Sequence, residues 1–289
     1  VARDNHGAHQ LETDLRTLLA GDAALPVVPF PDWETLPYDQ FSPHPDIVSQ
    51  RLSALHALPT LARGIVVVPV QTLMQRLPPV SYVVGGTFKV AVGERLDMDA
   101  EKRRLEAAGY RHVPQVLDPG DFAVRGGLLD VYPMGADEPY RVELLDDQID
   151  SIRAFDPESQ RSLDRYASVT LLPGREVPTE GEALQRAMDA LRDQFDIDTR
   201  RSGLFQDLRA GHAPAGIEYY LPLFFTGTAT LFDYLDARVL PLLADGAGDA
   251  ADAFWRSVGE RHEQRRHDIE RPVLAPQALY LPPDALRER

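Results

Sequence analysis

The chain has 289 residues, 44% of them hydrophobic and 26% charged, which is typical of a globular protein long enough for two domains. Its formal net charge of −15 disfavours a chain that grips nucleic acid by itself, because a phosphate-binding surface needs clustered cations. It contains no cysteine, which excludes disulfides, thiol catalysis and thiolate metal sites. No apolar run approaches the roughly 20 residues that span a bilayer, and we expect a cytoplasmic protein.

The first part of the chain alternates short apolar runs with helical stripes. In the helical segments apolar residues recur every three to four positions, and the strand candidates are apolar on both faces, as in a buried parallel sheet. This alternation predicts an α/β layer built on a parallel sheet. We predict helices at residues 9–20 (ended by Gly21) and 45–58, and strands at residues 1–2, 25–30 and 65–70.

The pattern changes near residue 86. Short apolar runs separated by turn residues predict an antiparallel meander. In the run Tyr140-Arg-Val-Glu-Leu-Leu-Asp146, strand alternation places Arg141 and Leu145 on the face opposite to Val142. Arg125 precedes Gly126-Gly127, where glycines allow a bulge or a close backbone approach. We predict strands at residues 87–92, 121–132, 140–146 and 149–155, a helix at residues 99–108, and a return crossing at residues 171–174.

The last part of the chain returns to helical patterns, and we expect it to pack on the first part. The fold class is therefore α/β, with a discontinuous parallel-sheet lobe at residues 1–85 and 174–289. An α+β domain at residues 86–173, which contains the meander, is inserted into that lobe. We predict helices at residues 182–195, 201–208 and 249–269, a strand at residues 239–243, and a strand at residues 279–281 that closes the sheet.

Catalytic and metal-binding motifs are missing from the sequence. No glycine-rich phosphate loop ends in Lys-Ser or Lys-Thr. Asp245 is followed by glycine rather than by the second carboxylate of a magnesium site. His262 and His267 are five residues apart, which puts them on different sides of a helix. We therefore predict no catalytic residues, no metal and no cofactor.

Two long blocks of sequence carry a family resemblance. Gly120-Asp-Phe-Ala-Val-Arg-Gly-Gly-Leu-Leu-Asp-Val-Tyr-Pro133, together with the run that begins at Tyr140, resembles the second domain of the bacterial transcription-repair coupling factors and a similar domain of UvrB. Asp32-Trp-Glu-Thr-Leu-Pro-Tyr-Asp-Gln-Phe-Ser-Pro-His-Pro-Asp46 resembles the coupling factors specifically. The resemblance extends over the whole chain. It implies the N-terminal UvrB-homology region of a longer protein, with a degenerate P-loop, helicase-like lobe around a UvrA-binding domain.

The resemblance also implies a function and a site. In the family, the arginines that match Arg125 and Arg141 bind UvrA, and Leu145 replaces a phenylalanine that is usual on the same surface. The implied function is a non-catalytic docking module that recruits UvrA to stalled transcription in nucleotide excision repair. RNA polymerase and DNA would be bound by other domains of the parent protein. We expect this chain to be a monomer.

The sequence leaves three alternatives open. Arg125 and Arg141 can instead form ion pairs inside the domain, with Asp130, Glu143 or Asp146 as partners. The chain can be a lobe of a nucleotide-dependent DNA helicase or translocase, or of a UvrB-like damage-recognition protein, that binds ATP and DNA. It can also be a structural lobe whose inserted domain only separates its neighbours.

Overall fold

The computed structural model describes residues 1–20, 25–195 and 199–288, so Gly21, the expected end of the first helix, lies outside the described residues. The described residues form a mixed α/β structure with one six-stranded and two two-stranded sheets. None of the helices within these ranges is long and apolar enough to cross a membrane.

The strands are β1 (Val27–Pro29), β2 (Ile65–Val67), β3 (Phe88–Ala91), β4 (Arg111–His112), β5 (Asp121–Arg125), β6 (Leu128–Val131), β7 (Tyr140–Leu145), β8 (Gln148–Phe155), β9 (Ser162–Tyr166) and β10 (Ser168–Leu171). The α-helices are α1 (Asn5–Leu18), α2 (Pro45–Ala57), α3 (Val70–Leu73), α4 (Val80–Gly85), α5 (Met98–Ala107), α6 (Gly181–Gln194), α7 (Gly203–Arg209), α8 (Leu221–Phe224), α9 (Ala247–Arg265), α10 (Pro276–Leu279) and α11 (Pro283–Arg287).

The parallel pairing expected in the first part of the chain is confirmed. β1 and β2 run parallel, with Val27 opposite Ile65. Ala2 adds a single parallel bridge to Pro69, and its amide donates to the carbonyl of Val68 at 2.8 Å. Helix α2 connects the two strands, as parallel pairing requires a crossover. It begins at Pro45, whose missing amide hydrogen is not needed in the first turn.

The six-stranded sheet contains the expected antiparallel meander. Its order is β4-β5-β6-β7-β8-β9; β4 pairs with β5 in parallel, and the other neighbours are antiparallel. Helix α5 and the antiparallel pair β3–β10 cover one face of this sheet, which we call the inner face. The core between them is formed by Phe88, Val90, Leu96, Leu105, Tyr110, Phe122, Leu129, Val131, Val142, Ile149, Ile152, Val169 and Leu171.

The run at residues 121–132 is a hairpin, so the prediction of one strand there is wrong. Gly126 has φ = +59°, a left-handed conformation that glycine adopts without a steric penalty, and the chain reverses there. The expected close backbone approach does occur at Gly127, whose carbonyl accepts a hydrogen bond from the Leu144 amide at 2.8 Å. Register shifts occur instead in the β7–β8 pairing after Glu143 and in the β8–β9 pairing after Arg153.

Two strands predicted in the last part of the chain are also wrong. Residues 239–243 form no strand: Pro241 has no amide hydrogen to donate, and the four apolar side chains around it are exposed. Residues 279–281 do not join the parallel sheet. Helix α10 ends at Leu279, and Tyr280 instead makes an antiparallel bridge with Gln75.

Two further cores combine residues from before and after the meander. In one, Trp33 and Tyr38 pack with Leu191 of α6 and Phe224 of α8. In the other, Phe30 packs with side chains that include Leu172 and Leu231. The expected helices α6, α7 and α9 are all present. The domain boundaries at residues 85/86 and 173/174 stay a prediction.

Candidate protein-docking site

The face of the six-stranded sheet opposite to the inner core is called the outer face here. Along β7, Val142 lies in the inner core and Tyr140 and Leu144 pack against it. Since strand side chains alternate, Arg141, Glu143 and Leu145 lie on the outer face. Along β5 the same alternation puts Arg125 there, because Phe122 and Val124 face inward. The three residues predicted to bind a partner therefore share one face.

Arg125 lies at the end of β5, directly before the hairpin turn. Its side chain is 54% exposed. One guanidinium nitrogen, Nη2, donates to Oδ2 of Asp130 at 3.3 Å, which is a long hydrogen bond. Most of the donors of Arg125 are therefore available to a partner.

Arg141 has a different environment. It lies directly opposite Asp130 in the β6–β7 register, and its Nε and Nη2 donate to the two carboxylate oxygens at 2.7 and 2.8 Å. The guanidinium also lies 4.7 Å from the centre of the Phe155 ring and 3.4 Å from the Gln160 carbonyl oxygen. The side chain is only 16% exposed, and hydrogen bonding to Asp130 raises the Arg141 pKa above its usual value.

Asp130 is therefore shared by both arginines. Its side chain is 4% exposed and its two oxygens accept from Arg141 in the bidentate geometry that guanidinium and carboxylate favour. The pairing with Asp130, which the sequence left open, accounts for the two shortest hydrogen bonds of Arg141 and for only one long contact of Arg125.

Leu145 lies at the outer end of β7, before Asp146, which turns the chain with φ = +56°. Its side chain is 69% exposed, which is unusual for leucine in a sheet with a packed core. Leu145 and Arg125 lie on the same face with β6 between their strands, and arginine is enriched at protein interfaces. Leu145 and Arg125 are thus both accessible, and Arg141 lies further along β7, opposite Asp130.

Sequence reasoning missed two further arginines on this face. Arg153 on β8 lies opposite Arg141, and Arg165 on β9 lies opposite Arg153. β9 was not expected because its five residues are all exposed and carry little apolar signal. The turn-forming Asp156-Pro157 after β8 was the available indication of another hairpin.

The meander is also the part of the chain that matches a known family. Residues 88–176 match the family model described as the UvrB interaction domain. Across its whole length the chain is 43% identical to the transcription-repair-coupling factor of Haemophilus influenzae, covering 25% of that protein. The chain is a relative of the transcription-repair-coupling factors.

Other coupling factors give the same result. The one from Escherichia coli is 45% identical over 88% of this chain and 22% of its own length. The one from Myxococcus xanthus is 39% identical over 95% of this chain and 24% of its own length. The chain thus spans about a quarter of the length of these relatives.

The described residues also bear on the possibility of a metal centre. Among the residues that the structure describes, no three His, Cys, Asp or Glu side chains are grouped so that they could hold a metal ion. The outer face carries the guanidinium groups of Arg125 and Arg141, the carboxylate of Glu143 and the exposed side chain of Leu145.

Proposed function

We propose that this chain is the N-terminal, UvrB-like module of a transcription-repair-coupling factor, and that it recruits UvrA during nucleotide excision repair. The observation that supports this most is the exposure of Arg125 and Leu145 on the outer face of the domain that matches the UvrB interaction family. Arginine is one of the residue types most enriched among interface hot spots.

In this proposal Arg125 donates to acidic groups on UvrA, and Leu145 contributes apolar contact. Arg141 holds Asp130 in place and presents its remaining exposed edge. The module has a degenerate P-loop lobe at residues 1–85 and 174–289 and an inserted domain at residues 86–173. It is a cytoplasmic monomer without catalysis, and contacts with RNA polymerase and DNA belong to other parts of the parent protein.

Isothermal titration of UvrA tests the docking site. We expect the double variant Arg125→Ala/Leu145→Ala to lose on the order of 2 kcal/mol of binding free energy, about 30-fold in Kd, because arginine is a frequent hot-spot residue and Leu145 adds apolar contact area. Arg103→Ala and Leu36→Ala are matched controls, because both residues are exposed and neither lies on the outer face. An unchanged Kd for the double variant would remove the proposed site.

A fluorescent ATP analogue tests the absence of nucleotide chemistry. We expect no saturable binding, because the sequence has no phosphate loop to hold the triphosphate. Saturable binding at micromolar concentration would instead support the helicase or damage-recognition alternative.

A further inference from the structure

A row of like charges crosses three strands of the outer face. In the strand register, Arg141 on β7 is opposite Arg153 on β8, and Arg153 is opposite Arg165 on β9. We call these three residues the arginine row. Adjacent strands are about 4.8 Å apart, so the row extends roughly 10 Å across the sheet.

The row has too few anions to neutralise it. Asp130 engages Arg141 at one end. Across the described residues, neither Arg153 nor Arg165 makes a side-chain hydrogen bond or an ion pair, and the Nε of Arg153 is buried without an acceptor. Glu143, the nearest other carboxylate on this face of β7, accepts a hydrogen bond from Ser151 at 2.6 Å.

This arrangement costs stability in the isolated chain. Like charges directly opposite each other on neighbouring strands are destabilising, and a buried donor without an acceptor is too. Local arrangements that oppose stability are expected mainly at functional sites. The buried Nε of Arg153 is out of reach from solvent, but the terminal guanidinium nitrogens of Arg153 and Arg165 can donate to an anionic group bound over them.

We propose that Arg153 and Arg165 are part of the docking surface and bind a carboxylate-rich segment of the protein partner. The proposal rests on the proposed function, since the arginine row continues the same face from Arg141 toward β9. It extends the contact area away from Arg125 and Leu145. It also defines the partner chemically: the partner presents at least two acidic side chains over β8 and β9.

Charge favours a protein carboxylate over nucleic acid. Guanidinium groups pair with carboxylate and phosphate alike. The chain as a whole carries a formal net charge of −15, however, which repels a long polyanion while still allowing a short acidic segment to dock locally.

The test uses the full 289-residue chain and compares Arg153→Gln/Arg165→Gln with Arg153→Lys/Arg165→Lys. UvrA binding is measured by calorimetry at low and high ionic strength, and duplex DNA binding by fluorescence anisotropy. Arg103→Gln is the matched control, since it removes one charge from α5, on the opposite side of the sheet. Thermal unfolding of each variant verifies that the fold is retained.

We expect the glutamine variant to bind UvrA about fivefold more weakly at low salt, with a shallower salt dependence, because partly exposed ion pairs are screened. The lysine variant keeps the charges and should retain most of the affinity. Three results would overturn the proposal. The first is an unchanged Kd and salt dependence for the glutamine variant. The second is an equal loss of UvrA affinity in Arg103→Gln, and the third is DNA binding by the unmodified chain that the glutamine variant abolishes. If Arg125→Ala/Leu145→Ala still weakens binding, only this inference fails, whereas no UvrA binding by the unmodified chain overturns the proposed function as well.

Discussion

Arg125 and Arg141 show how two identical side chains acquire different roles from their positions. Both contact Asp130. Arg141 donates two short hydrogen bonds to it and also contacts Gln160. Arg125, at the end of β5, donates one long hydrogen bond. A bidentate pair with a buried carboxylate is a stabilising contact whose loss leaves that carboxylate unpaired. A single exposed ion pair contributes little.

These contacts predict that the two truncations differ in their effect on stability. Arg141→Ala should lower the free energy of unfolding by about 2 kcal/mol, because Asp130 then remains buried with only a weak partner. Arg125→Ala should change it by less than about 0.5 kcal/mol. Urea denaturation of both variants checks the difference. Equal stabilities for the two variants would show that the Asp130 pair with Arg141 does not stabilise the sheet.

At the scale of elements, the chain leaves the meander through a very close contact. The amide of Gly174 donates to the Ala108 carbonyl at 2.7 Å, at the end of α5. A Cβ atom at Gly174 would lie 2.7 Å from the carbonyl carbon of Gly109 and 2.8 Å from the Tyr110 amide nitrogen. Backbone atoms cannot move aside as the end of a flexible side chain can, so only glycine fits this crossing.

Gly174→Ala should therefore destabilise the protein by about 2–3 kcal/mol through overpacking. Gly85→Ala is the matched control. Gly85 is the last residue of helix α4, at the other predicted domain boundary, and a Cβ atom there has no neighbour within 4 Å. Differential scanning calorimetry measures both. If the Gly174→Ala variant were as stable as Gly85→Ala, the backbone at Gly174 and the backbone at residues 109–110 would be able to move apart without loss of stability.

At the scale of the whole molecule, a buried ion pair joins the parts of the chain on either side of the meander. Arg51 on α2 and Glu176 after β10 are almost fully inaccessible to solvent, and Arg51 Nε donates to Glu176 Oε1 at 2.6 Å. Trp33 Nε1 donates to the same oxygen at 3.2 Å. The Arg51 guanidinium also stacks 4.4 Å from the centre of the Phe30 ring.

Removing both charges of this pair should lower the free energy of unfolding by less than the two single removals add up to. Arg51→Met and Glu176→Gln should each cost about 3 kcal/mol, because each leaves a buried group without its counterpart. The double variant should cost clearly less than the sum, since no uncompensated charge remains. Urea denaturation of the three variants forms the cycle. Additive losses would show that the two groups are not coupled.

Much of the fold follows from local sequence patterns. Helices α1, α2, α5, α6, α7 and α9 and strands β1, β2, β3, β7 and β8 lie near their predicted positions, because apolar periodicity is a property of adjacent residues. Two of the differences concern the pairing of segments with other parts of the chain. Residues 239–243 have an apolar, strand-like composition but find no strand partner in the described part of the chain. β9 pairs with β8 although its residues are all exposed.

The sequence by itself determined that Arg141 and Leu145 share a face, since side chains along one strand alternate. Only the tertiary structure decided that Asp130 binds Arg141 more closely than Arg125, and that Arg153 and Arg165 continue the same row. Those relations depend on the register between strands and on the burial of each side chain, which arise from packing over the whole sheet and not from the spacing of residues along the chain.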